Sequence, residues 1–130
     1  MKRRRENWDY LRENLKDVED YFILPEKQTS SEPCWFGFIV MAKPESGVSR
    51  DKVVHYLEEH NIQTRNLFAG NITRHPCFEH LKEGEDYRIV GGLSNTDAVM
   101  YHGFWVGVYP GMTDEMIDYM AKTIKEAVNQ

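Results

Sequence analysis

The chain has 130 residues, 41% of them apolar and 12% aromatic, and carries a formal charge of −5 at pH 7. That length fits one domain with a core of ordinary size, and the aromatic content is too high for a disordered chain. A negative balance argues against general nucleic-acid binding, which needs a basic face to displace counterions, and no apolar run approaches the roughly 20 residues of a spanning helix.

The first element is an amphipathic helix from Glu6 to about Asp20. Trp8, Leu11, Leu15 and Val18 recur at three- and four-residue steps and form one apolar stripe. The basic run Lys2 to Arg5 ahead of it is followed at once by Glu6, Asp9 and Glu13, so it reads as a solvated helix start rather than a targeting signal. No signal-peptide core is present, and Cys34 and Cys77 make no disulfide framework. A cytoplasmic, reducing location is expected. Pro25 ends the segment, and Glu26 to Pro33 is polar and linker-like. Residues 1–24 are therefore expected to stand apart as a connecting helix whose greasy face needs a partner, and residues 25–130 to form the domain proper. With that face uncovered, self-association is expected.

Cys34 to Ala42 is a continuous apolar and aromatic run, expected to be a strand buried on both faces. After a turn at Pro44 to Gly47, Ser49 caps a helix to about His60 with Val53, Val54 and Leu57 inward. Ile62 to Leu67 is a short strand. Phe68 to Leu93 has no sustained period, and an aromatic-containing irregular stretch of that length points to function. Ser94 with Asp97 resembles a capping box opening a short helix that ends near His102-Gly103. Phe104 to Tyr109 is a second apolar strand. Thr113 caps the last helix, with Met116, Ile117, Met120, Ala121, Ile124 and Val128 as its buried stripe. The fold class is α+β: a small, mainly antiparallel sheet with helices mostly on one face.

Several side-chain groupings bear on chemistry. Trp35-Phe36-Gly37-Phe38 and Trp105-Val106-Gly107-Val108 share a W-x-G-x pattern. On neighbouring strands, each Trp and its Gly would share a face and leave a shallow aromatic-walled notch. The other reading is that both indoles fill core volume. His75, Cys77 and His80 lie within six residues, but a structural zinc site needs a second ligand pair, and none is present. A thiolate nucleophile at Cys77 lacks an orienting group. His55 and His60 read as surface residues. Arg65, Asn66, Phe68 and Asn71, with Arg74 close behind, offer guanidinium and amide donors suited to a phosphate, a sugar hydroxyl or a carboxylate. Ion pairing of the arginines with Glu79, Glu83 or Glu85 is the competing reading.

Trp35 to Phe38, Ile62 to Asn71 and His75-Pro76 resemble the carboxy-terminal part of the DegT/StrS sugar aminotransferase family. So do Tyr87 to Val90, Asn95 to Asp97 and Phe104 to Gly111. The likeness runs from about Arg5 to the end and is strongest to the lipopolysaccharide-sugar branch, the CDP-4-keto-6-deoxyglucose 3-dehydratases. The resemblance implies the small domain of a homodimeric fold-type-I enzyme whose large domain, absent here, holds pyridoxal or pyridoxamine phosphate. A lysine in that domain forms the Schiff base in the aminotransferases, and a histidine replaces it in the dehydratases. The small domain closes over a nucleotide-diphosphate sugar. By this resemblance Arg65, Asn66, Phe68, Asn71 and His75 line the substrate side, with Tyr109 at the strand end. No catalytic residue, cofactor, metal or iron–sulfur cluster is expected in this chain itself, and neither a membrane nor nucleic acid is an expected partner. The alternatives are the small domain of a nucleotide-sugar aminotransferase and a standalone module that binds nucleotide sugars or a protein.

Overall fold

A computed structural model describes residues 1–130. In chain order the elements are helix α1 (Lys2–Asn14), strands β1 (Phe22–Ile23) and β2 (Gly37–Ala42), helix α2 (Arg50–Glu59) and strand β3 (Thr64–Asn66). Helix α3 (Ser94–His102), strand β4 (Gly103–Gly107) and helix α4 (Asp114–Ala127) follow. The four strands form one antiparallel sheet in the order β1-β2-β4-β3. Two caps are as the sequence requires: Ser49 accepts from Lys52 N at the start of α2, and Thr113 from Met116 N at the start of α4.

One face of the sheet carries the core. Phe22, Phe38, Val40, Phe104 and Val106 pack with Trp8, Leu11 and Leu15 of α1, Val53 and Leu57 of α2, and Ile117, Ala121 and Ile124 of α4. All are essentially solvent-free, and a buried aliphatic or aromatic side chain contributes about 1.5–3 kcal/mol relative to exposure. Helix α3 adjoins β2 and β4 but adds no residue to this core. No helix is long and apolar enough to cross a membrane.

Several expectations are corrected. The first helix does not stand apart. Trp8, Leu11 and Leu15 are 2%, 0% and 0% exposed, so the stripe is covered within the chain and gives no ground for self-association. Trp8 stacks on Trp35 with ring centroids 5.0 Å apart. The polar stretch behind the helix is pinned back on it: Arg12 Nε donates to the Pro25 carbonyl at 3.1 Å, and Arg5 pairs with Glu32 at 3.0 Å. Lys27 pairs with Asp9 and lies over the Trp8 ring. Regular α-helix ends at Asn14, with a 3-10 turn at Lys16–Val18.

The first long apolar run is not buried on both faces. It enters the sheet only at Gly37 and alternates between buried Phe38, Val40 and Ala42 and half-buried Ile39 and Met41. The expected capping box fails as well. Leu93 occupies the cap position of α3 without a side-chain bond, because Asp97 is drawn to Arg74 and Asn71. On α4, Met116 points outward at 48% exposure.

Candidate functional site

The register of β2 against β4 sets Gly37 opposite Gly107 and Ile39 opposite Trp105. A Cβ on Gly37 would lie 2.5 Å from Trp105 Cε3, so only glycine lets the indole rest on the β2 backbone. A Cβ on Gly107 would meet nothing within 4 Å, which leaves bare backbone there. Phe36 is 67% exposed, and its ring sits 4.8 Å from that of Trp105 at a tilt of 49°. The notch is therefore walled by Trp105 and Phe36, not by two tryptophans. Trp35 instead turns back to the buried ring of Trp8.

This notch opens into a groove of about 840 Å³ that runs past Gln63 and Arg65 to Tyr109, Met116 and Tyr119. Arg65 faces Trp105 across the β3–β4 pair and is exposed. Its charge helps hold the Glu58 carboxyl below the usual carboxylate range, behind the larger effect of hydrogen bonds from Thr64. Glu58 Oε1 already accepts Thr64 N at 2.5 Å and Thr64 Oγ1 at 2.7 Å. Arg4 reaches the groove from α1, and its Nε is shielded from solvent without a hydrogen-bond partner. Glu115 is the carboxylate of the groove, and bonds to its own backbone N–H and to Thr113 lower its pKa. His60 belongs to this wall rather than to the outer surface. Its Nδ1–H donates to Tyr56 O at 2.7 Å, and Tyr119 Oη–H donates to the His60 carbonyl at 3.1 Å.

The irregular segment after β3 is organised by a polar clamp. Asn71, 3% exposed, donates from Nδ2 to Asp97 Oδ1 at 2.7 Å while its Oδ1 accepts Thr73 N and Thr73 Oγ1. Arg74 completes the clamp with a bidentate pair to Asp97 at 2.7 and 2.6 Å. The Arg74 bonds, then that of Asn71, lower the Asp97 carboxyl to about 2. Asp97, near in space and distant in sequence, thus replaces the nearby glutamates as the partner of Arg74.

The six residues singled out from the sequence divide. Arg65 and Tyr109 meet in the groove. Asn66 sits at the end of β3, where its Oδ1 accepts from Arg50 Nη1 at 2.6 Å. Phe68 is 82% exposed with φ at 42°, a left-handed conformation unusual for an aromatic residue, so neither packing nor backbone ease explains its position. Asn71 has its side-chain nitrogen and oxygen both engaged inside the clamp. His75 donates from Nε2 to the Ala69 carbonyl at 2.5 Å and stacks on Phe78, which folds the segment on itself. No three His, Cys, Asp or Glu side chains gather in a metal-binding arrangement. Arg4, Phe36 and Gln63 are groove residues that sequence reasoning missed. Arg4 was masked by its basic run, whereas Gln63 was in principle visible, two residues before Arg65 and immediately ahead of β3.

Comparison with known proteins sets this geometry in context. Over 125 residues the chain is 48% identical to dTDP-4-dehydro-2,6-dideoxy-D-glucose 3-dehydratase of Saccharopolyspora spinosa, covering 96% of the chain and 26% of that protein. It is 43% identical over 126 residues to the lipopolysaccharide biosynthesis protein RfbH of Salmonella typhimurium, covering 97% of the chain and 28% of the relative. Among solved structures, GDP-4-keto-6-deoxymannose-3-dehydratase with a trapped PLP-glutamate geminal diamine superposes with a TM-score of 0.77 at 27% identity. That match covers 93% of this chain and 30% of the other. DesI in the presence of its TDP-sugar product, at 17% identity and a TM-score of 0.81 over 99% of the chain and 31% of its own, shares the fold. The chain thus spans between a quarter and a third of the length of these proteins. Residues 1–125 match the DegT/DnrJ/EryC1/StrS aminotransferase family, and the chain belongs to that family.

Proposed function

We propose that the chain is the substrate-closing small domain of a pyridoxal or pyridoxamine phosphate-dependent nucleotide-sugar 3-dehydratase, acting in deoxysugar or lipopolysaccharide synthesis in the cytoplasm. It performs no chemistry by itself. The observation that carries this is the 48% and 43% identity to the 3-dehydratase and RfbH over nearly the whole chain, set against about a quarter of their length. Residues 1–24 lead in from a large domain that binds the cofactor, and the complete enzyme works as a homodimer.

On this reading the cofactor is bound by polypeptide outside this chain. No lysine lines the groove, and its carboxylate, Glu115, is engaged by its own helix start. Electron withdrawal belongs to the cofactor, so a chain that does not hold it supplies binding and closure. On this reading Arg65 and Tyr109 contact the nucleotide sugar directly. Asn66, Phe68, Asn71 and His75 form the rim that closes over it, with Phe68 leading and Asn71 holding the rim in shape.

A chimera tests the reading. The large domain of the Saccharopolyspora 3-dehydratase joined to this chain should eliminate the 3-hydroxyl of the nucleotide sugar, whereas that large domain alone should fall to background. A folded, cofactor-loaded chimera that transaminates would assign the chain to an aminotransferase instead. One that does neither would overturn the proposal.

A further inference from the structure

Two aromatic walls of the groove lie outside the sheet that they border. Phe36 sits one residue ahead of β2 and Tyr109 two residues past the end of β4, both at the end of the sheet where Gly37 pairs with Gly107. Strand pairing therefore fixes neither ring, and the contacts that do come from a single helix. We infer that α1 is the positioning element of the groove: Asn7 holds the turn that carries Tyr109, and Trp8, acting through Trp35, holds Phe36 in place.

The Tyr109 wall depends on a buried amide. Asn7 is 1% exposed and lies beside Trp8 and Leu11 on the core-facing side of α1. Burying an amide is costly unless its hydrogens are bonded, so a helix that only covered a core would carry an apolar residue there. Asn7 Nδ2 donates to the Tyr109 carbonyl at 2.8 Å and to the Met112 carbonyl at 3.3 Å, the two ends of the Pro110-Gly111 turn. Val108 and Met112 bury their side chains on either side, and Asn7 ties the ends together. The Tyr109 ring lies back on Gly111, where a Cβ would come within 3.0 Å of Tyr109 Cε2, so the course of the turn sets the ring. Arg3 fastens the same helix to Asp114 at the start of α4, at 2.7 Å.

The Phe36 wall depends on two adjacent side chains that point opposite ways. Trp35 stacks on Trp8 with the ring planes 13° apart, while Phe36 leans on Trp105. Trp8 is a fixed reference, buried and held by the Phe38 ring 5.2 Å away. Between residues 25 and 36, Trp35 is the one apolar side chain packed against the core. Without its indole, the nearest tie to α1 is Glu32 on Arg5, four residues before Phe36. On the domain reading above, α1 is also where the cofactor-binding domain joins. The consequence for catalysis rests on that reading: a shift of α1 alters both walls together.

The 130-residue chain tests the wall-setting by itself, through ring contacts seen as NOEs in NMR spectra. Asn7→Ala keeps a strong helix former in α1, so amide shifts should gather at Tyr109 to Met112 and the Tyr109–Gly111 NOE should fade, with the Phe36–Trp105 NOE unchanged. Trp35→Ala, at a half-buried position, should do the converse, and both should leave the amides of Val40, Leu57 and Ile124 in place. In the 3-dehydratase chimera each variant should raise KM about tenfold and leave kcat within about twofold, the split expected of misplaced binding walls rather than of a lost fold. Ring contacts that survive both substitutions, or a fall in kcat at unchanged KM, would overturn the inference. Should Asn7→Ala prove too unstable to give a native spectrum, Trp35→Ala decides, and an unmoved Phe36 refutes the role of α1. An inactive chimera whose isolated small domain shows the expected ring shifts would sink the domain reading and leave the wall-setting standing.

Discussion

The two halves of this molecule are held together by different physics. On the helix-covered face of the sheet, twenty apolar residues form one cluster, and even the first helix, which looked detachable, is locked in by a pair of stacked tryptophans. The segment from Phe68 to Leu93 with α3 contributes no apolar residue to that cluster, and it shows Phe68 at 82% and Val90 at 78% exposure. Its order rests on the Asn71–Asp97–Arg74 clamp. Hydrophobic burial gives a rigid platform, whereas a hydrogen-bonded clamp gives a segment that can be ordered yet open at low cost. A surface that must close over a ligand belongs on the second kind of structure.

The largest effect should come from breaking the platform. Phe38→Ala removes a fully buried ring at the centre of the sheet and should cost about 3–5 kcal/mol in global unfolding. Calorimetry or denaturant titration checks this, and a loss confined to one region would contradict the single-core description. Asn71→Ala sharpens the contrast from the other side. It strips buried partners from Asp97 and Thr73 and should cost about 1–3 kcal/mol, felt as faster hydrogen exchange across residues 68–93 with core amides unchanged. Acid should act in the same place. Asp97 titrates at about 2 when folded against 3.8 ordinarily, so its contribution is complete above pH 4 and is lost as pH falls toward 2. Exchange in the 68–93 segment should rise over that window before the core responds, and Asp97→Asn should abolish the rise.

The sequence reading succeeded where periodicity or capping chemistry is local. The apolar spacing of α2 and α4 and the Ser49 and Thr113 caps are visible to anyone counting residues. It failed where partners are distant. Strand β1 is two residues long and exists because Phe22 and Ile23 pair with Ala42 and Met41, too short a stretch to show a period. Asp97 read as a helix cap until the fold brought Arg74 to it. The polar stretch after Pro25 read as a linker because its ties to α1, from Arg5, Asp9 and Arg12, run between charged residues that carry no positional code. The groove shows the same division. The Gly-containing strand pattern was legible, but Trp35 and Trp105 part to opposite sides, and Arg4 arrives from a helix expected to lie elsewhere.

The central claim is that this domain holds substrate while the electron-withdrawing cofactor is held by other polypeptide. Incubating the chain with pyridoxal phosphate, reducing with borohydride and mapping the adducts by mass spectrometry tests it most directly. Sparse, sub-stoichiometric labelling spread over surface lysines is the predicted result; one lysine labelled one-to-one would contradict the account.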